Sequence, residues 1–254
     1  MKCTQIIFSP TGGTKRVADI ISDGLANDVG GMIDLSDSKA AFSQVSFGAE
    51  DIAVIAVPSF GGRVPSAAVH RLREIRGNGA KAVIVCVYGN RAYEDTLVEL
   101  QDAAEQAGFC IVAAIAAIAE HSIVRQYAAG RPDTEDRKRL ADFARQILAK
   151  LESGAVTKPS VPGNRPYRKA GGAGIVPKTG KSCNNCGLCA KQCPVGAISE
   201  ENAALVDKKM CISCMRCVAN CPQKAKSLNG AMVSAASLAL RKACSVHKEC
   251  ELYI

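Results

Sequence analysis

A chain of 254 residues has room for one domain of ordinary size and a small second one. Its 48% hydrophobic and 22% charged residues describe a globular protein, and 4% aromatics with no Trp leave a core of small aliphatics. A formal charge of +8 invites a nucleic-acid reading, but the basic stretches lack interleaved stacking aromatics, and no uncharged apolar run reaches membrane-spanning length. Neither nucleic acid nor a membrane span is therefore expected. The start of the chain has no long apolar region or small-residue cleavage site of a secretory leader. With thirteen cysteines, a reducing cytoplasm is the expected location.

In chain order, residues 2–8 form the first predicted strand, ending at Ser9-Pro10-Thr11-Gly12-Gly13-Thr14. A helix follows with Val17, Ile20, Ile21 and Leu25 on one face and Gly30-Gly31 just past its end. A short strand falls near 32–35, and residues 51–57 are a fully apolar strand stopped by Pro58. Helices are expected over 65–76 and 93–107, and strands over 81–87 and 109–118. An amphipathic helix over 132–150, with Leu140, Phe143, Ile147 and Leu148 inward, closes this part. Continuous apolar strands alternating with helices predict an α/β fold, a doubly wound parallel sheet of five strands covered on both faces. Its site lies beyond the C-terminal strand ends, at the switch point of the strand order.

The loops at those ends carry the candidate chemistry. Backbone N–H groups and the hydroxyls of Ser9, Thr11 and Thr14 could surround a phosphate without a cationic side chain, although the same residues also make a tight turn and a helix cap. The loop does not match G-x-G-x-x-G, so no dinucleotide is implied. Thr/Ser-x-Thr-Gly-x-Thr after a first strand resembles the phosphate loop of flavodoxins, which bind FMN. Pro58-Ser59-Phe60-Gly61-Gly62-Arg63-Val64-Pro65 is similar to the flavodoxin loop beside the isoalloxazine. Tyr88-Gly89-Asn90-Arg91-Ala92-Tyr93-Glu94-Asp95 is similar to the loop after the fourth strand, where an aromatic stacks on the ring. The resemblance implies phosphate contacts from Ser9, Thr11, Gly12, Gly13 and Thr14, and ring-edge contacts from Ser59, Phe60, Gly61, Gly62 and Arg63. It assigns Gly89, Asn90 and Tyr93 to the stacking side, with Pro10, Pro58, Tyr88 and Arg91 completing the FMN set. Phe60 stands where Tyr is more usual, Pro10 removes one N–H, and Tyr93 could instead be a helix-start aromatic packed on the sheet.

Beyond the last strand, Glu120, His121 and Ser122 share this end of the sheet, where His121 either relays protons or hydrogen-bonds its own loop. Residues 152–180 are rich in Gly, Pro and basic residues without an apolar period, as in a domain connector. No acidic residue occurs between 153 and 199, which leaves Lys158, Arg165, Arg168, Lys169, Lys178, Lys181 and Lys191 for an acidic redox partner or for water. The segment Gly174-Ile-Val-Pro-Lys-Thr-Gly180-Lys181-Ser182 is one residue too long for a nucleotide P-loop and follows no strand.

Two cysteine runs then repeat C-x2-C-x2-C-x3-C-P: Cys183, Cys186, Cys189, Cys193 and Cys211, Cys214, Cys217, Cys221. This spacing holds 4Fe–4S clusters, the fourth cysteine of each run ligating the other cluster. The expected sets are Cys183, Cys186, Cys189 and Cys221 on one cluster, and Cys211, Cys214, Cys217 and Cys193 on the second. Zinc, the alternative, has no use for a third Cys and a fourth before Pro, twice over. Residues 181–230 thus resemble the bacterial two-cluster ferredoxins. Each oxidised cubane with its thiolates carries about −2, so two clusters and a flavin phosphate would reduce the formal charge of +8 to about +2. Residues 197–199 and 205–207 are expected to pair as a hairpin, and 231–242 to form a helix packed on one of the domains. Cys244, His247 and Cys250 read as a tail with unpaired thiols, and Cys3, Cys86 and Cys110 as small buried hydrophobes.

The fusion as a whole resembles the EFR-type ferredoxins, in which a flavodoxin-like domain precedes a two-cluster ferredoxin. The segments 119–122 and 129–133 are similar to that family's segments after the fifth strand. The implied division is 1–151 flavodoxin-like and FMN-binding, 152–180 linker, 181–230 ferredoxin, and 231–254 helix and tail. The implied function is electron transfer among FMN, two clusters and an external protein partner such as an acidic ferredoxin, a flavodoxin or a reductase, with a homodimer left open. A flavin-dependent reductase of a quinone or nitro compound is the second reading, and a flavin-free docking domain on a ferredoxin the third. No nucleophile or acid–base pair is evident, so the cofactors would carry the chemistry.

Overall fold

The computed structural model describes residues 2–26, 28–171 and 174–254. Strands β1 (Lys2–Ile7), β2 (Asp28–Asp34), β3 (Ile52–Pro58), β4 (Lys81–Tyr88) and β5 (Cys110–Ile118) run parallel in the order β2-β1-β3-β4-β5. This is the flavodoxin-like doubly wound order, with its switch point between β1 and β3. The central strands are almost purely aliphatic because both faces are covered, alternate side chains pointing to opposite sides. Ile55, Ile84 and Ala114 pack with α2 (Ser66–Glu74) and α3 (Thr96–Gln106). Val54, Val85 and Ile115 pack with α1 (Gly13–Leu25) and α4 (Thr134–Glu152). Asp133 caps α4 in a reciprocal capping box with Asp136.

The cysteine-rich segment is a small two-fold repeat. β6 (Lys178–Thr179) pairs antiparallel with β7 (Lys226–Ser227), and α5 (Leu188–Lys191) and α6 (Arg216–Ala219) occupy equivalent places in the two runs. The hairpin predicted over 197–207 is present as a single antiparallel bridge, Ile198 to Val206. Left-handed backbone recurs at matched positions: φ is 55° at both Asn185 and Ser213, 73° and 62° at Gly187 and Met215, and 63° and 48° at Gly196 and Lys224. Such backbone costs a non-glycine residue roughly 1–2 kcal/mol. Its recurrence in pairs with one glycine or none marks turns fixed by the repeat rather than by glycine alone.

The described part of the linker is a strap rather than a free connector. Asp95 accepts from the Asn164 and Arg168 N–H groups at 2.9 and 2.7 Å, and Asp102 pairs with Arg165 at 2.5 Å. Lys158 pairs with Glu105, and Arg168 with Glu94. Lys158, Arg165 and Arg168, expected to face an acidic partner or water, are therefore paired with carboxylates around α3.

The C-terminal segment also returns to the first domain. α7 (Gly230–Cys244) packs Ala236, Leu240 and Cys244 against Val124 and Tyr127. Asn90 Nδ2 donates to the Cys244 and Val246 carbonyls, both at 2.8 Å, and Arg131 to the Lys248 carbonyl at 2.8 Å. β8 (Glu251–Tyr253) then pairs antiparallel with β5, so the sheet has six strands instead of the expected five. It covers an edge that would otherwise be unpaired, but three residues are too short for a periodic signal. Among the described residues no helix is long and apolar enough to cross a membrane.

Candidate functional site

A cavity of about 510 Å³ opens at the C-terminal ends of β1, β3, β4 and β5. Of the FMN candidates, Pro10, Thr11, Gly13 and Thr14 line it from the first loop, Pro58, Ser59, Phe60 and Gly61 from the second, and Tyr88, Gly89 and Arg91 from the third. The remaining wall comes from the loop after β5, Ala119 to Val124, and from three segments further along the chain. Arg168, Lys169, Gly171 and Ile175 belong to the strap, Ile212, Ser213 and Cys214 to the second cysteine run, and Ala236, Ala239 and Leu240 to α7. No local signal marks them, because each arrives from a different part of the chain.

Six candidates lie off the cavity wall, and each has a visible task. Ser9 Oγ accepts from the Lys15 N–H at 2.9 Å and so holds the entry to α1, while Gly12 takes φ 86° as that helix's N-cap. Gly62 lies against Glu94. Arg63 forms a bidentate pair with Glu99, both contacts at 2.7 Å, and covers the Tyr167 ring at 4.9 Å. Asn90 clamps the end of α7, as above. The Tyr93 hydroxyl bonds to Glu251 and Tyr253 at 2.8 Å, and its ring packs on Tyr88 with centroids 5.2 Å apart. Tyr93 is thus a packed helix-start aromatic, tied down by β8, and the aromatics on the cavity wall are Phe60 and Tyr88.

His121 also lines the cavity. Its Nδ1 accepts from the Ile123 and Val124 N–H groups at 3.2 and 3.1 Å, and burial pushes its pKa below the ordinary value. The ring is therefore neutral near pH 7, with its proton on Nε2. Beside it, the Glu120 carboxyl is held low by Arg125. Ser213 lines the cavity, and its buried Oγ has no hydrogen-bond partner among the described residues.

Two smaller cavities are formed by the cysteine runs. Cys183, Cys186, Cys189 and Cys221 line one, and Cys193, Cys211, Cys214 and Cys217 the other, so the last cysteine of each run lies in the other run's cavity. The Ala197 N–H donates to Cys193 Sγ and the Ala225 N–H to Cys221 Sγ, both at 3.3 Å. Burial pushes the Cys214 thiol up to about 11 and Cys217 to about 12, so neither becomes a thiolate without a cationic partner such as iron. Cys214 belongs to two walls at once: that of its own cysteine cavity and that of the large one.

Residues 182–226 match the family model of the 4Fe-4S dicluster domain. The chain joins a flavodoxin-like fold to a 4Fe-4S dicluster domain. Over 47 residues it is 49% identical to one component of an ion-translocating oxidoreductase complex of Methanosarcina acetivorans, a match covering 18% of each chain. The chain therefore spans less than a fifth of that relative's length. Solved structures similar to the first part include a flavodoxin of Streptococcus pneumoniae, at 20% identity over 59% of this chain and 99% of that one, TM-score 0.41. Flavodoxin 1 of Bacillus cereus aligns at 19% identity over 59% of this chain and 98% of its own, TM-score 0.40. The fold assignment rests on the strand order itself rather than on these scores. In the dicluster domain, the tail cysteines Cys244 and Cys250 have no part: both are buried against the flavodoxin-like domain.

Proposed function

We propose that this is an electron-transfer flavo-iron–sulfur protein. FMN in the 510 Å³ cavity would exchange electrons with two 4Fe–4S clusters, and these with an external protein carrier. The observation that carries the reading is the double placement of Cys214. A cluster on Cys193, Cys211, Cys214 and Cys217 would then be the neighbour of the flavin, and one on Cys183, Cys186, Cys189 and Cys221 the remote one.

The residues present fit both kinds of group. Thr11 and Thr14 at the start of α1 suit a phosphate, and Phe60 and Tyr88 offer faces to a flat ring. Ser213 Oγ is an orphaned buried polar atom that a ligand heteroatom would satisfy. His121 can offer only a donor at Nε2, since its Nδ1 is occupied. Around the cysteine cavities the matched left-handed turns and the N–H···S bonds suit anionic clusters. Four cysteines around each of the two cavities suit a cubane. Bound FMN supplies one- and two-electron chemistry, and the protein holds and orients it.

The domain limits of 1–151 and 181–230 serve this reading, with the strap and the C-terminal segment acting as parts of the flavin site's roof. The strap, the second cysteine run and α7 all border the cavity, which supports a carrier over a reductase of small acceptors. A reducing cytoplasm suits the many thiols. Anaerobic reconstitution with iron, sulfide and FMN tests the proposal. About eight irons and one flavin per chain are expected, with Cys214→Ser losing iron but keeping flavin. Full iron with no retained flavin overturns the flavin reading. Rapid turnover of a quinone or nitro compound without a protein carrier overturns the carrier reading.

A further inference from the structure

The two halves of the dicluster domain differ at one buried position. Five residues beyond the last cysteine of each run stand Ile198 and Lys226, in Cys193-Pro-Val-Gly-Ala-Ile198 and Cys221-Pro-Gln-Lys-Ala-Lys226. The preceding alanine N–H groups bond to the cysteine sulfurs at the same 3.3 Å, so the backbones are equivalent. Both side chains are buried, at 5% and 4% exposure. Ile198 lines the cavity of Cys193, Cys211, Cys214 and Cys217, and Lys226 lines that of Cys183, Cys186, Cys189 and Cys221.

Lys226 Nζ donates to Thr179 Oγ1 at 2.7 Å and to the Ala203 carbonyl at 2.5 Å, both neutral. Among the described residues no carboxylate is paired with it. A buried cation without a counter-ion is costly, and an anionic cubane in the adjoining cavity is the charge that would balance it. We infer that Lys226 sets the potential of the cluster held by Cys183, Cys186, Cys189 and Cys221, making it the easier of the two to reduce. The inference rests on the cluster reading above and adds a direction to it.

Reduction adds one negative charge to a cluster, and a nearby fixed cation stabilises that state more than the oxidised one. At the matching place the other cluster has Ile198, and the cation beside its ligands, Arg216, is already paired with Asp34 at 3.4 Å, so it has less of this help. With both clusters bound, one electron would pass from the one held by Cys193, Cys211, Cys214 and Cys217 to the one beside Lys226, with no bond made and no proton moved. The site of Cys183, Cys186, Cys189 and Cys221 would then be where the electron rests and leaves towards a carrier. Lys226 acts through its field and is a positioning residue, not a ligand.

The test is an anaerobic redox titration of the reconstituted full chain followed by electron paramagnetic resonance, comparing wild type with Lys226→Gln and Lys226→Met. Gln retains a donor for Thr179 and Met retains length, so the two separate charge from packing. With iron content unchanged, one midpoint should fall by about 59 mV or more in both variants, a tenfold change in the ratio of reduced to oxidised cluster at fixed potential. The other midpoint should move less. Unchanged midpoints at full iron content overturn the inference while leaving the cluster reading intact. Loss of iron from both variants also overturns it, since Lys226 would then build the site rather than tune it. A wild-type chain that takes up no iron and sulfide overturns the cluster reading itself.

Discussion

Gly89 leaves room for the loop that lines the large cavity by having no side chain. It ends the run of β4 where the loop after β5 crosses, and an added Cβ would lie 2.7 Å from His121 Cβ and Cδ2 and 2.8 Å from its Cα. Carbon atoms pack best at about 3.5 Å or more, so the substitution Gly89→Ala is short by nearly an ångström. A rotamer change cannot supply it, because Cα and Cβ of His121 are themselves in the way. The ring is also held by two N–H donors, and the His121 N–H is bonded to the Tyr127 carbonyl at 3.1 Å. The whole loop must therefore shift, at about 1–3 kcal/mol for an overpacked site. His121 and its neighbours line the cavity, so flavin affinity should weaken about tenfold for every 1.4 kcal/mol that reaches the bound state. Titration of the flavin-free protein with FMN, read by fluorescence quenching beside a urea unfolding curve, measures both quantities. Iron content serves as the internal control and should not change. Wild-type affinity together with a wild-type urea midpoint would refute the argument.

Other outcomes follow from the same contacts. Arg131→Met leaves Asp136 buried without its cation, since the pair's side chains are 7% and 4% exposed, and should cost about 3–5 kcal/mol in urea unfolding. Burial works to raise the Asp136 carboxyl, but hydrogen bonds from Arg131 and the Asp133 N–H hold it below the ordinary range. The stability this gives is present above the unfolded carboxyl's pKa, near 3.9, and is lost as pH falls through the lower folded value, an acid dependence that Arg131→Met should flatten. His121 is lowered by burial from an ordinary 6.5, so the unfolded chain takes up its proton first and stability should decline as pH falls below that value. His121→Gln should remove this slope, as followed by urea midpoints between neutral and mildly acidic pH. Ser213→Ala should weaken FMN binding about two- to tenfold, as for one lost hydrogen bond, with iron content unchanged, and equal affinity would place Ser213 away from the flavin.

The parallel sheet and the cysteine repeat were legible from sequence because both are written in local spacing. Strands such as 51–57 show as unbroken apolar runs when helices cover both faces, and the intervals between cysteines follow from the size of what they surround. The loops around Thr11, Ser59 and Gly89 could also be found, since a doubly wound sheet puts its site at the strand ends. Within those loops, however, motif position did not tell a wall residue from its support. Arg63 and Tyr93 belong to the expected segments, yet their polar atoms are satisfied by Glu99 and by Glu251 and Tyr253, which lie elsewhere in the chain.

Tertiary structure alone decided the rest. The basic linker looked free because its carboxylate partners, Glu94, Asp102 and Glu105, precede it by some 50 to 75 residues. β8 was too short to announce itself and exists only because β5 offers an open edge. Sequence alone determined that eight cysteines form two sets and that a flavodoxin-like sheet precedes them. Only the folded chain brings Cys214 to the cavity at the strand ends and buries Lys226 where its repeat partner is Ile198. Ligand spacing is a property of a few consecutive residues, whereas a shared wall or an uncompensated buried charge exists only once distant segments have met.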